Sequence, residues 1–362
     1  MKKIKVAFVG LAHPHVSALF KTFNHFNEEF EMIGFSEYPL PSPDPANLEK
    51  RRRTFAEAGI PEYADWQDLA AQKPDLAVVN CDNAHREEVC CGLLSQGIHV
   101  LDEKPMAMTY KAAAHMCRVA KENNVYMLTN WPIAWFPPFR KAKELTEAGT
   151  IGKILRVVYR SPATWGPFSY GPEGEYPSEE KMASSWWYKK EYGGGSILDY
   201  ACYGAMLSSW FFDKTAERVQ GITKSFCVDF SDVEDYSAMI LDFGEGVGLL
   251  EGSWSTFNPG NVPTGPVIYG TEGVIVCDRH TPNVKLYKGR CHTPPEEPTE
   301  VFESGMFQQT ELLGAHLARV IRGEEKPDAL LGEKLNLAVV AALDAGRRSA
   351  EEGITVKTSD LL

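Results

Sequence analysis

Ile4-Lys5-Val6-Ala7-Phe8-Val9-Gly10 reads as a short apolar strand stopped by a glycine, and Val16, Leu19, Phe20, Phe23 and Phe26 follow it at helical spacing. A strand, a tight turn and an amphipathic helix form the opening unit of a parallel α/β sheet. The unit recurs. A strand over Phe30–Ser36 precedes a helix through Arg52–Ala58, a strand over Leu76–Asn80 precedes a helix over Glu87–Ser95, and a strand over Ile98–Leu101 leads to a helix opened by Thr109. Strands alternating with helices across short connections predict a doubly wound parallel sheet, a Rossmann-type domain, over residues 1–128.

Beyond Trp131 the texture changes. One helix over Phe139–Ala148 leads into apolar, β-branched runs at Ile154–Arg160, Val219–Val228, Tyr236–Phe243, Gly248–Thr256, Val274–Cys277 and Val284–Tyr287. Strands that follow one another without intervening helices predict an α+β domain with a mostly antiparallel open sheet over residues 129–362, closed by helices at Gln309–Arg322 and Gly332–Glu352. A chain of 362 residues exceeds what one core usually fills, which agrees with two domains. Within the second domain, the stretch from Thr164 to Tyr192 holds Trp165, Phe168, Tyr170, Tyr176, Trp186, Trp187 and Tyr188 among its glycines and prolines. So many aromatics in a long loop point to an active-site wall or lid, with a packing loop as the alternative.

Composition narrows the partners. With 49 acidic against 37 basic residues the net charge is −12, which repels phosphate backbones and anionic lipid, so neither nucleic acid nor a membrane surface is expected. Met-Lys-Lys-Ile-Lys has the charge of an export signal, but His13, Pro14 and His15 cut its apolar run short, so a first strand of a cytoplasmic protein is expected instead. The eight cysteines lack metal or redox spacing and lie mostly in apolar runs, as buried reduced thiols do.

Open doubly wound sheets bind ligand beyond the carboxyl ends of their strands, where a helix N-terminus attracts pyrophosphate. Here the first such turn is Gly10-Leu11-Ala12-His13-Pro14-His15. Of G-x-G-x-x-G only the first glycine remains; Ala12 still permits a fairly close backbone approach, while His15 alters the packing of helix on strand. Alone, this turn is equally compatible with a strand-turn-helix that holds no nucleotide. His13 and His15 suggest a metal, but no cysteine or carboxylate nearby in sequence completes a ligand set, so the expectation is no metal and two histidines lining the phosphate turn. Glu37, ending the second strand, is placed to accept the adenosine ribose hydroxyls and to repel a 2′-phosphate, which favours NAD over NADP. Arg51, Arg52 and Arg53 weaken that preference if they fold back; a solvated helix face is the role expected of them.

Gly97-Ile98-His99-Val100-Leu101-Asp102-Glu103-Lys104-Pro105 resembles the G-x-H-V-x-x-E-K-P signature of the Gfo/Idh/MocA family, that of glucose-fructose oxidoreductase, inositol dehydrogenase and dimeric dihydrodiol dehydrogenase. His85 with Glu87, Gly149-Thr150-Ile151-Gly152, Gly193-Gly194-Gly195-Ser196-Ile197-Leu198-Asp199 and Tyr269-Gly270-Thr271-Glu272-Gly273 resemble further family motifs in the same order, over nearly the whole chain. The resemblance implies a nicotinamide-dependent oxidoreductase. Together with the strand-end positions it gives Gly10, Ala12, His13, His15, Glu37, Asn80, His85, Glu103 and Lys104 as cofactor contacts, and Lys104, Asp199 and Tyr203 as substrate contacts; Trp131 and Trp165 join the substrate contacts because every tryptophan but Trp66 lies between Trp131 and Trp254, which suits sugar-stacking walls.

Lys104, just past a strand's carboxyl end, suits an ammonium that polarises a hydroxyl or steadies an alkoxide during hydride transfer; a surface lysine in a turn is the bland alternative. Ser196-Ile197-Leu198-Asp199 also matches a capping box, which would spend Asp199 on a helix end. Yet Asp199 and Tyr203 are spaced to share one face of an otherwise apolar helix. The family usually carries D-x-x-x-H there; Tyr203 departs from it, although some members similar to dihydrodiol dehydrogenase and glucose-fructose oxidoreductase also carry Tyr. The resulting expectation is a dehydrogenase or reductase acting on a secondary hydroxyl or carbonyl of a sugar, cyclic polyol or diol. Lys104, Asp199 and Tyr203 are its catalytic group and Tyr203 its general acid/base. If Tyr203 is only a packed residue, His280, His292 or a loop tyrosine carries the proton. The alternatives are an NAD-dependent glycosidase or epimerase with transient oxidation, and a non-catalytic nicotinamide-binding sensor. The open second sheet, and the pairing through it that the resemblance implies, predict a homodimer or homotetramer.

Overall fold

A computed structural model describes residues 2–11, 13–38, 45–162, 166–168, 178–257, 262–278, 280–289, 295–305 and 309–361. The first half alternates as its periodicity requires: β1 (Ile4–Val9), α1 (Val16–His25), β2 (Phe30–Ser36), α2 (Pro45–Glu57), β3 (Glu62–Tyr63), α3 (Trp66–Ala70), β4 (Leu76–Val79), α4 (Arg86–Leu94), β5 (His99–Glu103), α5 (Tyr110–Glu122) and β6 (Met127–Asn130). The six strands form one parallel sheet in the order β3-β2-β1-β4-β5-β6. Its strand order reverses beside β1, and the crevice that opens at such a point is where this architecture binds ligands. Val6 and Phe8 of β1 pack into one core while Ala7 and Val9 pack into another, so helices cover both faces.

A helix, α6 (Pro137–Glu147), leads to the second sheet: β7 (Ile154–Pro162), β8 (Arg218–Lys224), β9 (Tyr236–Asp242), β10 (Val247–Ser253), β11 (Val267–Gly270), β12 (Gly273–Cys277), β13 (Asn283–Lys288), β14 (Glu300–Glu303) and β15 (Val356–Lys357). Their order is β14-β13-β12-β11-β7-β10-β9-β8-β15, and every neighbouring pair is antiparallel except β7 with β10. Between β7 and β8 run α7 (Glu179–Ala183), a wide π-type turn over Ile197–Ala201, and α8 (Cys202–Phe212). Helix α8 and the last helix, α10 (Glu333–Glu352), cover one face of the sheet, and α10 also reaches α5. Helix α9 (Gln309–Ile321) returns to pack on α1. The other face leaves Ile222 and Ile240 56% and 47% exposed.

Short elements escape the sequence reading: β3, α3, β6, α7, β11, β14 and β15 carry too few residues to show a period. The strand read over Val219–Val228 stops at Lys224, because Asp235 accepts the backbone N–H groups of Phe226 and Cys227 at 2.9 and 2.6 Å and turns the chain. Among the described residues no helix is long and apolar enough to cross a membrane. Cys81, Cys90, Cys117, Cys202 and Cys277 are buried free thiols, while Cys227 is exposed.

Candidate active site

Lys104 follows the last residue of β5, and its peptide to Pro105 is cis. The fully buried Arg86 guanidinium braces this corner, donating to the carbonyls of Pro105 and, at 3.1 Å, Cys81. The Lys104 side chain is 2% exposed, and its Nζ donates to the carbonyl of Asp199 at 2.6 Å and to the Asp199 carboxylate at 2.7 Å. Burial is the largest single influence and opposes the ammonium, but Asp199, Cys202 and Glu103 together outweigh it, and the lysine is held charged above its ordinary range.

Asp199 is available to Lys104 because the capping box does not form. Ser196 Oγ instead donates to Ser237 Oγ at 3.1 Å, and the N–H of Ile197 donates to the Glu234 carboxylate at 2.9 Å. Glu234 serves the helix end, so Asp199 is left to face the cavity, where its second oxygen accepts the indole N–H of Trp254 at 3.2 Å. Tyr203 presents its ring face to Lys104, with Nζ 4.7 Å from the ring centroid. Trp131, expected as a substrate wall, is instead fully buried; it donates to Asn336 at 2.7 Å and packs edge-on against Tyr203, supporting that ring from behind.

These groups border a cavity of about 360 Å³ lined by His13, Pro14, His15, Lys104, Pro132, Ile133, Phe136, Ser161, Pro167, Trp187, Asp199, Tyr200, Tyr203 and His280. Of the aromatic stretch from Thr164 to Tyr192, Pro167 and Trp187 border the cavity, and Trp187 also packs with Met182, Trp186, Tyr188, Val228 and Trp254 in a buried cluster. Trp187 thus serves as both wall and packing within this segment. Trp165, Tyr170 and Tyr176 lie outside the described residues, as do Ala12 and His292.

On the other side of the cavity lies the Gly10 turn. Gly10 has φ +84°, and a Cβ there would lie 3.0 Å from the backbone of Asn80, so a side chain would fill the cradle between β1 and β4. Among the described residues the buried Asn80 amide has no hydrogen-bond partner on either atom, an arrangement suited to a bound polar ligand. His85, on the same rim, bonds through Nδ1 to Asp82 at 3.0 Å. A nicotinamide dinucleotide fits this set of an open glycine turn, an orphaned amide and a carboxylate just past a strand end, and Gly10, Asn80 and Glu37 are the residues that would hold it.

Two expectations about this rim need correction. Arg51 and Arg52 do not form a solvated face: Arg51 donates to the Leu11 carbonyl at 3.0 Å, and Arg52 forms ion pairs with Glu37 and Glu62. Burial raises the Glu37 carboxyl while Arg52 pulls it back. No carboxylate lies near His13 and His15 in sequence, but in three dimensions the end of β5 brings Glu103 to them. One ligand-capable atom from each of the three lies within 4.8 Å of the others. Glu103 is engaged on both oxygens, with His15 Nδ1 at 2.8 Å and Asn130 at 2.6 Å. These partners overcome its burial and hold it ionised.

Sequence reasoning missed Glu234, Trp254, Arg86 and Ser161. Only Arg86 carried a signal, an arginine opening a helix between His85 and Glu87; the others depend on neighbours distant in the chain.

A parallel sheet with a ligand-ready turn at its crevice, joined to an open-faced sheet whose helix supplies Asp199 and Tyr203, defines a two-domain protein of the Rossmann dinucleotide-binding class. Residues 4–130 match the profile described as oxidoreductase family, NAD-binding Rossmann fold, and residues 139–276 match the GFO/IDH/MocA C-terminal domain. The chain belongs to the Gfo/Idh/MocA oxidoreductase family. It is 24% identical to trans-1,2-dihydrobenzene-1,2-diol dehydrogenase of Xenopus laevis over 63% of this chain and 64% of that one, so the match spans just under two thirds of that relative. In fold it resembles levoglucosan dehydrogenase in complex with NADH and levoglucosan (TM-score 0.81, 16% identity, 99% and 100% of the two chains). It also resembles the WlbA dehydrogenase of Bordetella pertussis in complex with NADH and UDP-GlcNAcA (TM-score 0.75, 19% identity, 98% and 99%).

Proposed function

We propose that the protein is an NAD-dependent dehydrogenase that interconverts a secondary hydroxyl and a carbonyl on a sugar, cyclic polyol or related diol. The observation that carries this reading is the buried Lys104–Asp199 pair at 2.7 Å, bordering a cavity between the dinucleotide turn and an aromatic wall. A binding protein without chemistry has no need of an ammonium desolvated beside the cofactor crevice. The dihydrodiol and levoglucosan dehydrogenases among its relatives support the substrate class.

The bound nicotinamide supplies the hydride acceptor. Lys104 holds a positive charge against the oxygen that becomes anionic as hydride leaves its carbon. Asp199 fixes that ammonium through its carboxylate and its own carbonyl, and Trp254 fixes Asp199 in turn. Tyr203, whose ring lies against the ammonium, takes the hydroxyl proton as general base. The exposed face of the second sheet serves self-association into a dimer or tetramer.

The test is a screen of polyols, aldoses, anhydrosugars and cyclic diols for NAD reduction, followed by two variants on the best substrate. Tyr203→Phe lowers turnover by about a hundred- to ten-thousand-fold with NAD affinity nearly unchanged, and Lys104→Met is at least as damaging. Near-normal turnover by Tyr203→Phe alongside an inactive Lys104→Met removes Tyr203 from the proton role.

A further inference from the structure

His13 is 3% exposed, and its ring forms part of the cavity wall that Lys104, Asp199 and Tyr203 also line. Its Nδ1 accepts the backbone N–H of His15 at 3.2 Å. An imidazole nitrogen that accepts an N–H carries no proton, so this geometry fixes a neutral ring with its single proton on Nε2. Ring contacts with His15, at 4.4 Å between centroids, and with Trp187, at 5.5 Å, hold the ring plane.

The surroundings sustain that state. Burial pushes the imidazole well below its ordinary range, and the neighbouring His15, Lys104, Arg86 and Arg51 act in the same direction. The carboxylates nearby are committed: Glu103 to His15 and Asn130, Asp199 to Lys104 and Trp254. A proton added to His13 would break its bond from the His15 amide and set a further cation beside Lys104. The ring therefore offers the cavity a donor only, and a fixed one.

We propose that His13 is a substrate-binding residue whose Nε2–H donates to an oxygen of the substrate, holding it against Lys104 without itself taking or giving a proton. This rests on the dehydrogenase reading. A neutral donor strengthens its hold as the oxygen gains negative charge, and it does not compete with Tyr203 for the proton. The class of ligand it selects carries an acceptor oxygen: a hydroxyl, a ring ether, or the carbonyl that oxidation produces.

Two measurements test this. Nitrogen NMR of the ¹⁵N-histidine-labelled enzyme–NADH complex, with His13→Gln identifying the signal, shows Nδ1 unprotonated and Nε2 protonated from about pH 6 to about pH 8. An imidazolium, an Nδ1–H tautomer, or stoichiometric zinc bound at His13, His15 and Glu103 overturns the proposal. In kinetics on the best substrate of the screen, His13→Leu lowers kcat/KM by about a hundredfold, the Kd for NAD stays within about threefold, and His13→Gln, which keeps a side-chain N–H, regains about tenfold. If His13→Leu instead weakens NAD and leaves kcat/KM at saturating NAD intact, His13 belongs to the cofactor turn and the proposal fails. If the wild type turns over nothing in the screen, the dehydrogenase reading falls and takes the substrate contact with it, while the nitrogen spectra still report whether the neutral donor exists.

Discussion

Replacing Glu234 by glutamine removes a carboxyl that holds the start of the helix carrying Asp199, and the consequence depends on pH in a calculable way. Glu234 is half-buried; its carboxylate accepts the N–H of Ile197 at 2.9 Å and lies where a Cβ on Gly195 would fall, 2.5 Å away. Burial raises its pKa from 4.5 to about 7, against the Ile197 N–H and the more distant Arg347 and Lys190, which favour the charged form. At roughly 1.4 kcal/mol per pH unit, this displacement corresponds to about 3 kcal/mol, or about 2 to 3 once residual solvent contact is allowed for. The sign follows from linkage. The folded chain holds this proton more tightly than the unfolded chain, so the group's stabilisation is complete below pH 4.5 and is lost as pH rises to about 7. Glutamine keeps an acceptor for Ile197 and cannot ionise. Denaturant unfolding of both proteins at about pH 5 and about pH 8 therefore shows the wild type losing about 2 kcal/mol relative to Glu234→Gln between the two conditions. Equal changes in the two proteins, within about 0.5 kcal/mol, refute the assignment of Glu234 as a carboxyl held neutral by burial.

Two further expectations concern surfaces of the molecule. Arg52→Ala leaves Glu37 without its guanidinium, so the free carboxylate repels a 2′-phosphate more strongly and the ratio of NADP to NAD dissociation constants rises by about tenfold; an unchanged ratio in a fluorescence titration denies Glu37 its place at the ribose. Ile240→Lys, on the open sheet face, shifts the light-scattering mass of the protein to that of one chain without lowering its melting temperature, and a wild type already monomeric at micromolar concentration removes the self-association proposal.

Much of the fold is legible because parallel strands buried on both faces are continuous apolar runs. Val6 to Val9 and Leu76 to Val79 are of this kind, and their successive side chains enter two different cores. Legibility fails where elements are short or end in polar residues that the fold buries. Strand β6 is Met127-Leu128-Thr129-Asn130, and Thr129 and Asn130 are fully buried, so half of the strand looks like a turn. Helix α3 has five residues, less than two turns, although Asp65 accepting the Asp68 N–H at 2.8 Å marks its start.

The site was legible in its types and illegible in its pairings, for one physical reason. A doubly wound sheet collects the carboxyl ends of strands that are far apart in sequence, and the helix of a second domain then closes over them. Glu103 lies 88 residues from His15, and Lys104 lies 95 residues from Asp199, yet each pair bonds directly. A search for metal ligands or acid/base partners confined to neighbours in the chain discounts such pairs, as it discounted a carboxylate for His13 and His15. The same search overvalues local patterns. Ser196-Ile197-Leu198-Asp199 satisfies the capping-box spacing, but Glu234, arriving from the segment before β9, takes the helix end instead. The exchange is favourable for chemistry: a capping carboxylate spends itself on backbone amides, whereas Asp199, relieved of that duty, is the anion that keeps a buried lysine charged. Reading such a site from sequence therefore requires asking which strand ends converge before asking which residues are near one another.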